Sequence, residues 1–379
     1  MPLPDGRFEC CKVTLARITA KTVWAFIEVE LASGASGVGE ITLPQREVQL
    51  VEAVERLFQN WDGQAAPNSG APPSDLADAA VRSGLDQAWH DATARERGIS
   101  LSGLLGGDHD RAIRLYANIN RRTNDRTPAG FAASACHAVS QGYGAIKIAP
   151  FDEVTLEGCR KGTAARDMQA GIERIAAARD AIGDRRLMVD CHWRFDEAAA
   201  LRLVDAVAEF RLYWLECPVE ESADTIDLIK RLRDRVNRRE TLLAGLETFV
   251  GADGFAPFTD AHAYDVIMPD VKFIGGYDEF KRAAAQAAQR GIAVSPHNPT
   301  GPICHAASLF VCAAIDGFSL LEHQVDESPL FSALAGGSLP IPVDGVSAIP
   351  HGEGLAVSLN QEVLSQHSMR TIQWRRGAR

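Results

Sequence analysis

"RRLMVDCHWRFDEAAALRLVDAVAEFRLYWLECP", residues 185–218, holds two apolar runs, each closing on an acidic residue, with a helical pattern between them. Leu187, Met188 and Val189 read as a buried strand that stops at Asp190. Tyr213, Trp214 and Leu215 read as another that stops at Glu216. Strands that alternate with helices at this spacing imply a parallel sheet.

Outward from this unit the pattern repeats. "IRLYANI", "GAIKIA", "RRLMVDCH", "RLYWLECP", "TLLAGLE", "YDVIMPDV", "GIAVSPH" and "GFSLLEH" are successive strand candidates with helical or turn–helix segments between them. Eight such runs in about 230 residues suit a (β/α)8 barrel better than a doubly wound sheet. No GxGxxG follows the first run, which argues against a dinucleotide-binding fold. Upstream, "CKVTLARI" and "TVWAFIEVEL" read as strands, and helical patterns follow at 46–60 and 75–96. The expected organisation is α/β: an α+β domain over residues 1–110, a barrel over 111–340, and a Pro- and Gly-rich segment over 341–379 that returns to the first domain.

At 46% hydrophobic and 23% charged, the 379-residue chain has the composition of a soluble globular enzyme. A net charge of −11 argues against nucleic acid or an anionic membrane as the main partner. Eight cysteines, at 10, 11, 136, 159, 191, 217, 304 and 312, form no CxxC pair. They read as reduced thiols, with Cys191, Cys217 and Cys312 in the core. "MPLPDGRFECCKV" carries no apolar export signal, and no stretch approaches the roughly 18 apolar residues of a membrane span. A cytoplasmic protein is expected.

The last polar residues of the barrel runs are Lys147, Asp190 with His192, Glu216, Glu247, Asp270, His297 and Glu322. In such a barrel all strand C-termini open on one face, so these groups converge. That many ionisable groups at an apolar rim are costly unless they pair or bind a metal. Asp190, Glu216 and Glu247, from three consecutive strands, are hard oxygen ligands that suit Mg2+; zinc would recruit more imidazole or thiolate. Period-two alternation puts Asp190, His192 and Arg194 on one side, the first two about 6–7 Å apart along the strand.

These motifs, in this order, resemble the enolase superfamily and specifically its mandelate racemase branch. The resemblance covers nearly the whole chain: "SGVGEITLP" is similar to the GxGE segment of an N-terminal capping domain, and the eight runs match the strands of a modified TIM barrel. It implies that Asp190, Glu216 and Glu247 hold Mg2+, and that Asp270 orients His297 as the base that removes a proton next to a substrate carboxylate. It also implies that Glu322 hydrogen-bonds that carboxylate, and that Lys147 is the first lysine of a KxK motif. Ala149 stands where the second lysine belongs, which disfavours a two-base racemase. "DCH" is similar to the acid-sugar dehydratases of the branch, implying that His192 protonates a departing hydroxyl. The expected activity is Mg2+-dependent dehydration of an aldonate or aldarate to a 2-keto-3-deoxy acid. A racemase, epimerase or cycloisomerase acting through the same enediolate is the alternative, and a catalytically silent barrel is a third. Tyr116, Asn118, Asn120 and Arg194 are further candidates for substrate contacts, and the capping loops Ile18–Trp24 and Glu40–Arg46 are expected to set specificity. The resemblance also implies a homo-oligomer acting on a small-molecule carboxylate.

Overall fold

Strands β1 (Phe8–Arg17), β2 (Val23–Leu31) and β3 (Ser36–Glu40) form an antiparallel meander in a computed structural model that describes residues 7–64 and 73–377. The first six residues, part of the stretch read for an export signal, lie outside the described residues. Helices α1 (Glu47–Asn60) and α2 (Leu76–Glu96) cover the meander; Leu50, Val54, Ala80 and Leu85 share one apolar cluster with Val13, Ile27 and Ile41. The GxG of β3 has a steric cause. A Cβ at Gly37 would lie 2.0 Å from the Ala88 carbonyl oxygen, and one at Gly39 would lie 2.3 Å from that of Gly84. Without side chains there, β3 lies directly on α2 and carries Glu40 to the barrel.

The barrel strands are β4 (Ile113–Asn118), β5 (Ala145–Ile148), β6 (Arg186–Asp190), β7 (Trp214–Glu216), β8 (Leu242–Gly245), β9 (Val266–Ile267), β10 (Ala293–Val294) and β11 (Leu321–Gln324). From β4 to β10 each pairs in parallel with the next, and β11 pairs in parallel with β4. A bridge between Val294 and Phe318 closes the ring, with the Val294 amide donating to the Gly317 carbonyl and the Ser319 amide to that of Val294, both at 2.9 Å. All eight expected strands are present. They read as continuous apolar runs because both faces are buried: Tyr116, Met188, Trp214, Val266 and Met268 fill the barrel, while Ile146, Leu187, Val189, Leu215 and Ile267 join the layer under the helices.

Helical segments occupy the seven connections from β4 to β11, and the short helices Leu330–Leu334 and Gln361–His367 follow β11. The chain then runs back past β4, pairing through β12 (Val346–Ser347), and β13 (Ser368–Arg375) adds antiparallel to β1. No described helix is long and apolar enough to cross a membrane. All eight cysteines are free thiols, and Cys191, Cys217 and Cys312 are fully buried.

Candidate active site

Asp190 and Glu216 end adjacent strands and sit opposite each other in register. Glu247 lies two residues beyond β8 and reaches the same place through Leu246, whose φ of 71° turns the chain. One oxygen of each carboxylate lies within 4.8 Å of the others, and all three residues are buried. Burial pushes Glu216 up to about 7; Lys147 opposes this, and the charges of Asp190 and Glu322 reinforce it. Burial likewise holds Glu247 well above the carboxylate range, with Asp190 and Glu216 adding to it. Burial works against ionisation of Asp190 too, yet His192 and Lys147 outweigh it and bring Asp190 down to about 2.

Glu247 Oε2 is buried and has no hydrogen-bond partner, since His297 Nε2, at 3.6 Å, is beyond hydrogen-bond reach. A buried acceptor without a donor is unfavourable. Three convergent carboxylates, one carrying such an oxygen, fit a hard divalent cation.

Lys147, only 1% exposed, lies between Glu216 Oε1 at 2.6 Å and Glu322 Oε1 at 2.8 Å. Burial alone would pull its ammonium down, but these two carboxylates hold it well above the lysine range. Glu322 accepts from Asn118 Nδ2 at 2.6 Å and from the Asn298 amide at 2.9 Å. Despite its burial, Lys147 and His297 keep it below the usual range, so it is ionised and surrounded by donors. Asp270 Oδ2 meets His297 Nδ1 at 2.7 Å, which leaves Nε2 directed toward Glu247. Lys272 also grips Asp270, through its ammonium to Oδ2 at 2.7 Å and its amide to Oδ1 at 2.8 Å. Against burial, Lys272 and His297 hold Asp270 below the carboxylate range.

His192 departs from the expected alternation. β6 stops at Asp190, and His192 and Trp193 take left-handed φ values of 48° and 55°. The turn folds His192 back, so Nε2 lies 2.8 Å from Asp190 Oδ2 while its amide donates to Oδ1 at 2.9 Å. The side chain is 45% exposed at the mouth, and the Asp190 charge raises its pKa. Arg194 leaves the expected row as well, and its guanidinium donates to the carbonyls of Asp152 and Val154. Tyr116 is fully buried under the site, its ring 5.3 Å from that of Trp214. Asn118 orients Glu322, and Asn120 Oδ1 accepts from the Ala149 amide at 2.5 Å.

The capping loops reach this face. Thr19–Thr22, Pro44 and Gln45 line a cavity of about 690 Å³ with Asn120, Arg121, Arg126, Asp152 and Glu327. Thr22 Oγ1 and Arg121 Nη1 both donate to Glu327, at 2.5 and 2.9 Å. Glu40 accepts from Thr300 Oγ1 and from the Gly301 and Cys304 amides, capping the helix that follows His297. From the sequence alone, Lys272, Glu40 and Glu221 have no assigned task. For Lys272 a signal existed, since it stands two positions past Asp270.

Residues 130–363 match the family described as Enolase C-terminal domain-like. The chain is 30% identical to a D-gluconate dehydratase of Thermoproteus tenax over 90% of this chain and 69% of that protein. It is 26% identical to a D-xylonate dehydratase of Haloferax volcanii over 95% and 89% of the two chains. A D-galactarolactone cycloisomerase of Agrobacterium fabrum is 28% identical, with 90% of each chain covered. In fold the chain is similar to a mandelate racemase/muconate lactonizing enzyme-like protein from a Roseovarius species, with a TM-score of 0.83, 24% identity and 96% of each chain covered.

Proposed function

The chain belongs to the enolase C-terminal domain-like family, and from that premise we propose that it is a Mg2+-dependent dehydratase of an acid sugar, an aldonate or aldarate. The observation that supports this best is that His297 Nε2 lies 3.6 Å from Glu247 Oε2 of the carboxylate triad, while Asp270 holds the other ring nitrogen at 2.7 Å. The dehydratase relatives support the substrate class.

Asp190, Glu216 and Glu247 would hold the cation, which supplies Lewis-acid stabilisation of charge developing on the substrate carboxylate. His297 takes the proton from C2 through Nε2, and Asp270 keeps the ring in that tautomer. Lys147 meets the carboxylate as its charge grows. Glu322 orients Lys147 through the 2.8 Å contact and lies on the same side of the site as the substrate carboxylate it is expected to meet. His192 gives a proton to the hydroxyl leaving C3, so water departs and the resulting enol tautomerises to a 2-keto-3-deoxy acid. This requires its imidazole to turn from Asp190 toward substrate, which its exposure permits. Ala149 stands where a second lysine would supply a base to the other face of C2, which disfavours racemisation.

The test is a screen of the purified protein with Mg2+ against an acid-sugar library, reading 2-keto product, with His192→Asn run beside it. The variant should keep exchange of the C2 proton with solvent deuterium and lose product formation by roughly 100–10,000-fold. Exchange at C2 without loss of water in the parent protein would refute dehydration and favour the cycloisomerase reading that the Agrobacterium relative suggests.

A further inference from the structure

Left-handed backbone clusters where the triad is assembled: His192 and Trp193 follow Asp190, Cys217 (φ 44°) follows Glu216, and Leu246 precedes Glu247. Residues with a Cβ hold such φ values only where their surroundings fix them. Two of these turns are tied to one side chain, Glu221. Its Oε2 accepts from Trp193 Nε1 at 2.8 Å, and its Oε1 accepts from the Leu246 amide and the Tyr264 hydroxyl, each at 2.7 Å. The Trp193 amide donates to the Cys217 carbonyl at 2.7 Å, which links the third turn. The site is built around this carboxylate: a Cβ on Gly245 would lie 2.3 Å from Glu221 Oε1. All three donors to Glu221 are uncharged. Its contacts are therefore directional hydrogen bonds to turns, not an ion pair.

We propose that Glu221 is a positioning residue that sets the spacing between the acid and the cation site. Through Trp193 it holds the turn that carries His192, and through Leu246 it holds the turn that carries Glu247. The inference rests on the roles given above to His192 and Glu247.

The two arms are separable. Trp193→Phe keeps an aromatic ring but removes the indole N–H toward Glu221 together with the pyrrole part of the side chain, and leaves the Leu246 and Tyr264 bonds in place, so it loosens the His192 arm. Glu221→Gln has one accepting and one donating end. Its oxygen keeps two donors when it faces Leu246 and Tyr264, which sets its NH2 against the Trp193 indole. Glu221→Gln should therefore resemble Trp193→Phe. Glu221→Ala loosens both arms.

In Trp193→Phe and Glu221→Gln, dehydration should fall roughly 10–100-fold relative to exchange of the C2 proton, with KM and calorimetric Mg2+ affinity unchanged. In Glu221→Ala, Mg2+ affinity should also fall by roughly 10–100-fold. Glu221→Gln keeps the test usable if Glu221→Ala does not fold. A dehydration-to-exchange ratio equal to that of the parent in both conservative variants overturns the proposal, as does unchanged Mg2+ affinity in folded Glu221→Ala. His192→Asn separates the two ideas. An unchanged ratio there refutes the acid assignment, and the Mg2+ titration of Glu221→Ala then decides the role of Glu221 alone.

Discussion

If the carboxylate triad holds a cation, its binding must depend on pH. Glu216 sits at about 7 in the fold against 4.5 for the free side chain, because burial disfavours its charge. A raised folded pKa means stability that is present at low pH and is lost as pH rises through 7. Between pH 6 and pH 8 the unfolded chain is ionised at this residue throughout, while the folded chain passes from mostly protonated to mostly ionised. For one group the difference is on the order of 1 kcal/mol, or roughly tenfold in the folding equilibrium. Glu247, raised by the same cause, and His192, raised by the Asp190 charge, act in the same direction. Asp190, at about 2, titrates outside this window. A cation that prefers the ionised triad must displace these protons, so Mg2+ affinity should rise by at least about tenfold from pH 6 to pH 8. Calorimetric titration at the two pH values, in two buffers of different ionisation enthalpy, measures both the affinity and the protons released. In chelator the melting temperature should fall over the same range, and saturating Mg2+ should stabilise more at pH 8 than at pH 6. Glu216→Gln should bind Mg2+ weakly and with a flatter pH dependence. An affinity independent of pH, with no proton release, would refute the assignment of these carboxylates to a cation.

Two further perturbations probe the rest of the site. Lys147→Met leaves Glu216 and Glu322 buried without their shared cation and should destabilise the fold by about 3–5 kcal/mol in urea unfolding at pH 8, less at pH 6 where Glu216 is protonated; an equal loss at both pH values would show that the charge of Glu216 contributes nothing to it. His297→Asn and Asp270→Asn should each abolish C2-proton exchange together with dehydration, and exchange that persists in His297→Asn would assign the base to another group, Lys147 being the nearest candidate by chemistry.

The barrel was legible because parallel strands buried on both faces read as unbroken apolar runs, and even the two-residue strand Val266–Ile267 is announced by its neighbours in "YDVIMPDV". The polar residues at the strand ends were legible for a related reason, since a barrel gathers all of them on one rim. Alternation misled beyond Asp190 because it assumes a continuing strand. Nothing in the types of His192 and Trp193 announces left-handed backbone, which glycine would have signalled. The tasks of Glu40 and Glu221 were hidden for different reasons. Glu40 caps a helix 260 residues away, so its partner exists only once the two sheets are assembled. Glu221 looks like one more loop carboxylate until the turns at Trp193 and Leu246 close around it.

The pairing of β13 with β1 bears on how the protein is made. Cys10 lies opposite Arg375, so the meander that is synthesised first is completed by a strand synthesised after the whole barrel. During that interval β1 presents an open edge of unpaired amides and carbonyls to any other extended chain. The late step must bring together segments more than 350 residues apart. Loss of residues 368–375 would make that temporary edge permanent, and the expected failure is association through β1 with the barrel itself intact.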